Sequence, residues 1–90
     1  NFGYLPGGDH NIFTTPATSI PAIEKGLELL KPGGLMSLCV YYGGDSGFEE
    51  KDALMQFFKT IDSKRFTVLT TEFANRPNNP PIPVFILKQI

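Results

Sequence analysis

Ninety residues with 41% hydrophobic content make one small domain or a piece of a larger one, near the size where burial and chain entropy almost cancel. A net charge of -1 supplies no field that gathers a polyanion unaided, so contact with nucleic acid requires locally placed groups. The single cysteine, Cys39, excludes an internal disulfide and suits a reducing cytoplasm, and no stretch approaches the roughly 20 apolar residues of a membrane span, so a soluble protein is expected.

The chain opens on Asn1-Phe2-Gly3-Tyr4-Leu5-Pro6-Gly7-Gly8-Asp9-His10, which joins three glycines, a proline, a carboxylate, a tyrosine and the only histidine without helical or strand periodicity. It reads as a constrained loop, and a chain that enters directly on such a motif is expected to continue upstream. Residues 12–18 form a polar, β-branched connection. Thr18 or Ser19 then offers a cap for a helix that tolerates Pro21 in its first turn, with Ile20, Ile23, Leu27 and Leu30 as its apolar stripe. Pro32, Gly33 and Gly34 end that helix.

Residues 35–42 (LMSLCVYY) lack a polar face, as expected of a central strand covered on both sides in a mainly parallel sheet. Residues 43–47 break it, and Ser46 with Glu49 matches a capping box. The second helix carries Leu54, Phe57, Phe58 and Ile61 on its buried side and ends near Asp62. Residues 66–73 (FTVLTTEF) read as a strand, Asn75-Arg76-Pro77-Asn78-Asn79-Pro80-Pro81 interrupts it, and residues 82–90 form a last strand. A link of about seven residues is too short for a helical crossover, so the last two strands are predicted to be antiparallel.

The order helix, strand, helix, strand, strand predicts an α/β sheet with an antiparallel strand at its end. If a further strand ends near Phe2, right-handed helical crossovers make it parallel to those ending near Tyr42 and Ala74. Residues 1–18, 43–47 and 75–81 then meet at one rim, beyond the carboxyl ends of the parallel strands, where open α/β sheets bind ligands. The groups they bring are Asp9, His10, Asp45, Asn75, Arg76, Asn78 and Asn79, with Tyr4 and Tyr42 as flat surfaces.

These residues resemble a known family. Lys31-Pro32-Gly33-Gly34 between a helix and an apolar strand resembles the step into the fifth strand of class I S-adenosylmethionine-dependent methyltransferases. Together with residues 1–10, Tyr41-Tyr42-Gly43 and the 75–81 segment, it is similar to the bacterial rRNA methylase family, whose members include the tRNA methyltransferase acting on 5-aminomethyl-2-thiouridine at the wobble position. The resemblance implies the C-terminal half of a Rossmann-like domain over residues 1–90, without the strands and glycine-rich turn that cradle the cofactor. Little S-adenosyl-L-methionine affinity is therefore expected of these residues alone.

Asn1-Phe2-Gly3-Tyr4 also resembles the Asn-Pro-Pro-Tyr signature of amino-group methyltransferases, with both prolines replaced. The resemblance implies that Asn1 and Gly3 lie against the cofactor, that Asn1 accepts a hydrogen bond from the target amine, and that Tyr4 stacks on an extruded base. An alkylamine with a pKa of about 10.4 is mostly protonated at neutral pH, and Asp9 or His10 is the candidate proton acceptor. Tyr42, Asn75, Arg76, Asn78 and Asn79 are candidate contacts to RNA, most simply to the anticodon region of tRNA. One histidine and one carboxylate fall short of a metal site.

Gly44-Asp45-Ser46-Gly47 coincides with residues around a protease nucleophile, but Phe48 leaves the G-x-S-x-G elbow incomplete and Ser46 precedes a helix. Two other readings stand beside wobble-uridine methylation: an rRNA methyltransferase, and a non-catalytic α/β module that binds through an exposed sheet edge. Such an edge would also favour a homodimer.

Overall fold

The structure, a computed structural model, describes residues 16–41, 47–78 and 80–89. In chain order these form α1 (Pro16–Leu29), β1 (Leu35–Val40), α2 (Gly47–Thr60), β2 (Phe66–Thr70) and β3 (Ile82–Lys88). Among the described residues, no helix is long and apolar enough to cross a membrane.

α1 begins earlier than the predicted cap. Pro16 occupies its first position, where a proline's fixed φ already suits a helix and its missing N–H goes unused. Ser19 is buried inside the helix rather than standing ahead of it, and Pro21 lies beyond the first turn. The apolar stripe is as predicted: Ile23 and Leu27 are buried, and Ile20 and Leu30 pack beside them.

The end of α1 is tied to the end of β3. Gly33 has a φ of 82°, a left-handed conformation that costs glycine nothing extra, and the Gly34 N–H closes a turn onto the Lys31 carbonyl at 2.8 Å. From there the Gly33 N–H donates to the Lys88 carbonyl at 2.7 Å, and the Lys88 N–H donates to the Gly34 carbonyl at 3.0 Å. The Lys88 side chain completes the join. Its ammonium donates to the carbonyls of Leu27 at 3.1 Å and Leu30 at 2.7 Å, where the negative end of the helix dipole favours a cation. This explains why a lysine is buried with 8% of its surface exposed.

The sheet order is β1-β3-β2, with β3 antiparallel to both neighbours. The antiparallel pairing of the last two strands is as predicted, but β3 lies between the other two rather than at the end. The crossover through α2 skips one strand position, and β3 fills that slot with hydrogen bonds on both sides. Val84 and Ile86 consequently have no exposed surface. The central place predicted for β1 thus belongs to β3 within this sheet. β1 and β2 also stop earlier than predicted, at Val40 and Thr70.

Register and pleat divide the sheet into two faces. Val40 lies opposite Ile82, Leu38 opposite Val84, and Val68 opposite Ile86, so the even-numbered positions share one face. α1 and α2 pack against each other, and Ile23 and Leu27 of α1 join Leu54 and Phe58 of α2 in one core with Leu38, Val40, Phe66, Val84 and Ile86. Glu49 and Glu50 begin α2 and Lys59 ends it, matching its dipole. Ser46 of the predicted capping box lies outside the described residues.

Candidate functional site

β1 and β2 both run antiparallel to β3, so they are parallel to each other and their carboxyl ends share one rim of the sheet. Tyr41 follows β1 on that rim, and the link 71–81 follows β2. Thr71 fastens the link: its N–H donates to the Pro83 carbonyl at 3.0 Å and its hydroxyl to the same oxygen at 2.8 Å. Between these ends Asn78 adopts a φ of 64°, a conformation that asparagine tolerates better than most residues.

A cleft of about 680 Å³ opens between this link and α2. Lys51 and Met55 of α2 form one wall, and Thr70 to Phe73, Arg76, Asn78 and Pro80 to Ile82 form the rest. The Lys51 ammonium lies 3.8 Å from the exposed Asp52 carboxylate and 6.0 Å from the Phe48 ring centroid. Phe73 keeps 46% of its surface exposed despite its apolar ring. The cleft thus combines two cations, the Glu72 carboxylate, the Asn78 amide and an aromatic face.

The structure brings two of the residues chosen from sequence, Arg76 and Asn78, into this cleft. Asn75 is exposed on the same link without lining it. Asn1, Gly3, Tyr4, Asp9, His10, Tyr42 and Asn79, together with Asp45, lie outside the described residues. Sequence reasoning missed Lys51 and Phe73. Lys51 precedes Met55 by one helical turn and so shares its face, a spacing visible in the sequence but uninformative until the link is known to pack there. Phe73 read as a strand residue, whereas β2 ends three residues before it.

Among the described residues, no group of three His, Cys, Asp or Glu side chains could hold a metal ion. Cys39 is half-buried on β1.

Residues 1–87 match the family described as "Putative rRNA methylase". The chain belongs to that family. It is 37% identical over 89 residues to the chloroplastic tRNA (mnm5s2U34)-methyltransferase of Arabidopsis thaliana, a match covering 99% of this chain and 32% of the plant protein. A crystal structure of a "putative rRNA-methylase" from Clostridium thermocellum superposes with a TM-score of 0.84 at 52% identity, over 97% of this chain and 47% of that one. A "putative methyltransferase" from Streptococcus mutans, in complex with SAH, gives 0.79 at 42% identity over the same shares. The chain thus spans about half the length of these solved relatives and a third of the plant protein.

The family expected from residues 1–10, 31–34 and 75–81 is the family found, and the fold is the α/β, Rossmann-like fold of these methyltransferases. The rim bearing Tyr41 and the 71–81 link lies at the carboxyl ends of the parallel strands, the side on which open α/β sheets generally bind ligands.

Proposed function

We propose that these 90 residues form the C-terminal, substrate-facing half of a class I S-adenosyl-L-methionine-dependent RNA methyltransferase. Its reaction is N-methylation of the aminomethyl group of a modified wobble uridine in tRNA, in a cytoplasmic setting. The observation that carries the reading is the match along 99% of the chain to a protein named for a methyltransferase of that nucleoside. The rim supports it: an amide, a guanidinium, an ammonium and an aromatic ring suit a nucleotide's phosphate and base. The two residues assigned to the cofactor, Asn1 and Gly3, lie outside the described residues.

S-adenosyl-L-methionine, when bound, supplies an electrophilic methyl carbon on a sulfonium. The chain's own residues then have three tasks. Asn1 accepts a hydrogen bond from the amine and aims its lone pair. Asp9 or His10 takes the proton that an alkylammonium must lose before its nitrogen can attack. Tyr4 and Tyr42 offer stacking surfaces for the extruded base.

The test uses the intact protein with methyl-labelled S-adenosyl-L-methionine and tRNA bearing the unmethylated aminomethyl uridine. Label is expected in the wobble nucleoside, and Asp9→Ala or His10→Ala is expected to lower the rate by about 100-fold or more if that residue is the base. Label in ribosomal RNA and none in tRNA would transfer the reading to rRNA methylation, the activity named for the Clostridium relative. No label in any RNA would refute both.

A further inference from the structure

β2 is an edge strand that lacks the devices which usually keep such an edge from pairing. The order β1-β3-β2 leaves one side of Phe66–Thr70 without a neighbour among the described residues. Natural edges are commonly guarded by a lysine, a proline or a bulge. The stretch FTVLT has no charge and no proline, and its register with β3 runs without a bulge through all five residues. An upstream strand does not take this edge. Because α1 and α2 pack on the same face of the sheet, right-handed crossovers through them step in the same direction, and a strand feeding α1 joins beyond β1.

The main-chain groups on the open side can be named. The Gln89 N–H donates to the Arg65 carbonyl at 2.6 Å and the Thr71 N–H to the Pro83 carbonyl at 3.0 Å, so the odd-numbered residues of β2 turn their polar groups toward β3. Phe66, Val68 and Thr70 turn theirs away. The Phe66 N–H is already taken by the Asp62 carbonyl at 2.9 Å. The Phe66 carbonyl and both groups of Val68 and Thr70 remain open among the described residues. A second β2, antiparallel and centred on Val68, matches this set. The two Val68 residues exchange both of their hydrogen bonds, and each Thr70 N–H meets the Phe66 carbonyl of the other copy. Thr70 is exposed, so water can serve its carbonyl.

Charges flanking the strand choose the same orientation. Lys64 and Arg65 precede β2, Glu72 follows it, and all three are exposed. Asp62, the acidic residue of the preceding turn, accepts from the Lys64 N–H at 2.9 Å. With Val68 at the centre, the antiparallel register brings Lys64 of each copy beside Glu72 of the other. A parallel pair would set glutamate against glutamate and lysine against lysine.

We propose that β2 is an interface between two copies of this protein, which pair antiparallel about a two-fold axis at Val68 and join their sheets into one. On the outer face, the largely exposed Leu69 of each copy comes opposite Thr67 of the other. Each copy offers this edge once, so the assembly closes at two. A five-residue strand pair is a small contact beside the roughly 1,200–2,000 Å² of stable complexes, and the dimer is accordingly a reversible one. Glu72 also borders the rim cleft, so pairing brings the second copy's Lys64 to the border of that cleft. The proposal does not depend on which nucleoside is methylated.

The experiment is sedimentation equilibrium of the intact protein over a range of concentration and salt. A monomer–dimer equilibrium is expected, with the mass saturating at two copies and the dimer weakened by salt. Thr70→Pro removes a donor aimed away from β3, so dilute protein should keep a thermal midpoint close to wild type while the dimer Kd rises about tenfold or more. Glu72→Lys and Lys64→Glu should each raise Kd by about three- to tenfold, and the two together should restore it. The charge series decides alone if Thr70→Pro does not fold. A monomer at every concentration, a mass that grows beyond two, or a dimer that none of these variants weakens would overturn the interface. Single reversals that weaken the dimer without rescue in the double variant would overturn the antiparallel register.

Discussion

The two faces of the three-stranded sheet are built from alternate residues of the same strands, yet among the described residues only one is covered. On the helix side Val40, Val84 and Ile86 have no exposed surface. On the other side Leu35 and Leu69 keep 59% and 58% of theirs and Leu87 keeps 38%. Those residues adjoin one another: Leu35 lies opposite Leu87, and Leu69 lies opposite Phe85. Strands apolar on both faces are the mark of a sheet covered on both sides. Residues 35–42 therefore describe a fold in which a second layer meets the outer face. We propose that the remainder of the methyltransferase domain supplies that layer, in keeping with a chain that spans 47% of its solved relatives.

The contrast is sharpest at Ile86. Truncation to Ala on the covered face should destabilise the protein by about 2–5 kcal/mol, the usual range for a buried aliphatic side chain. Leu35→Ala in the 90-residue chain should cost far less, since most of its surface is already in water. Denaturant midpoints compared at constant m-value would decide it, and equal losses at the two positions would erase the distinction between the faces.

Lys88 tests how the covered face is closed at its end. Lys88→Ala removes the donor to the Leu27 and Leu30 carbonyls, and hydrogen bonds from a charged group contribute about 1.5–3 kcal/mol. The loss should appear as faster amide exchange at the C-terminal turn of α1 as well as a lower midpoint. Protection retained there would mean that the ammonium is not what fastens the helix to the sheet.

Two glycines on either side of that join should behave oppositely. Gly33→Ala meets no atom within 4 Å but must hold a φ of 82°, a backbone strain of about 1–2 kcal/mol. At Gly26, inside α1, an added Cβ would come within 2.6 Å of the terminal methyl of Met36, a flexible group that can move aside. Replacing a mid-helix glycine with alanine gains about 0.5–1 kcal/mol, so the two terms nearly cancel. Thermal midpoints should fall for the first variant and stay near wild type for the second.

The helices were legible because their apolar spacing is local: Ile23 and Leu27, or Leu54 and Phe58, announce a buried side without reference to anything else. The antiparallel direction of β3 was equally legible, since the link, about seven residues as predicted and 71–81 in the structure, leaves room for little but a reversal. Its position was not. Link length says that β3 runs back along the sheet, but the choice of neighbours depends on where α2 delivers β2, which no short stretch encodes. The same limit hid half of the rim cleft. Arg76 and Asn78 stood out by their setting among prolines, whereas Lys51 reads as a solvated helix residue and Phe73 as a strand residue until α2 and the link are seen to form opposite walls.

The smallest effect probes the bare face directly. Leu69 is largely exposed, so Leu69→Lys in the 90-residue chain should shift stability by less than about 0.5 kcal/mol, as for most surface substitutions. The same change should alter association strongly. A contiguous patch of Leu35, Leu69, Phe85 and Leu87, beside a β2 edge that is unpaired among the described residues, invites a second copy to cover it. A lysine on that face opposes such pairing, and light scattering should show a smaller mass at equal concentration. In the intact protein the prediction reverses: with a second layer present, a buried ammonium should cost several kcal/mol, and association through this face should be weak. A loss above 1 kcal/mol in the 90-residue chain would mean that its own remaining residues already cover Leu69, and the two faces would then differ in degree rather than in kind.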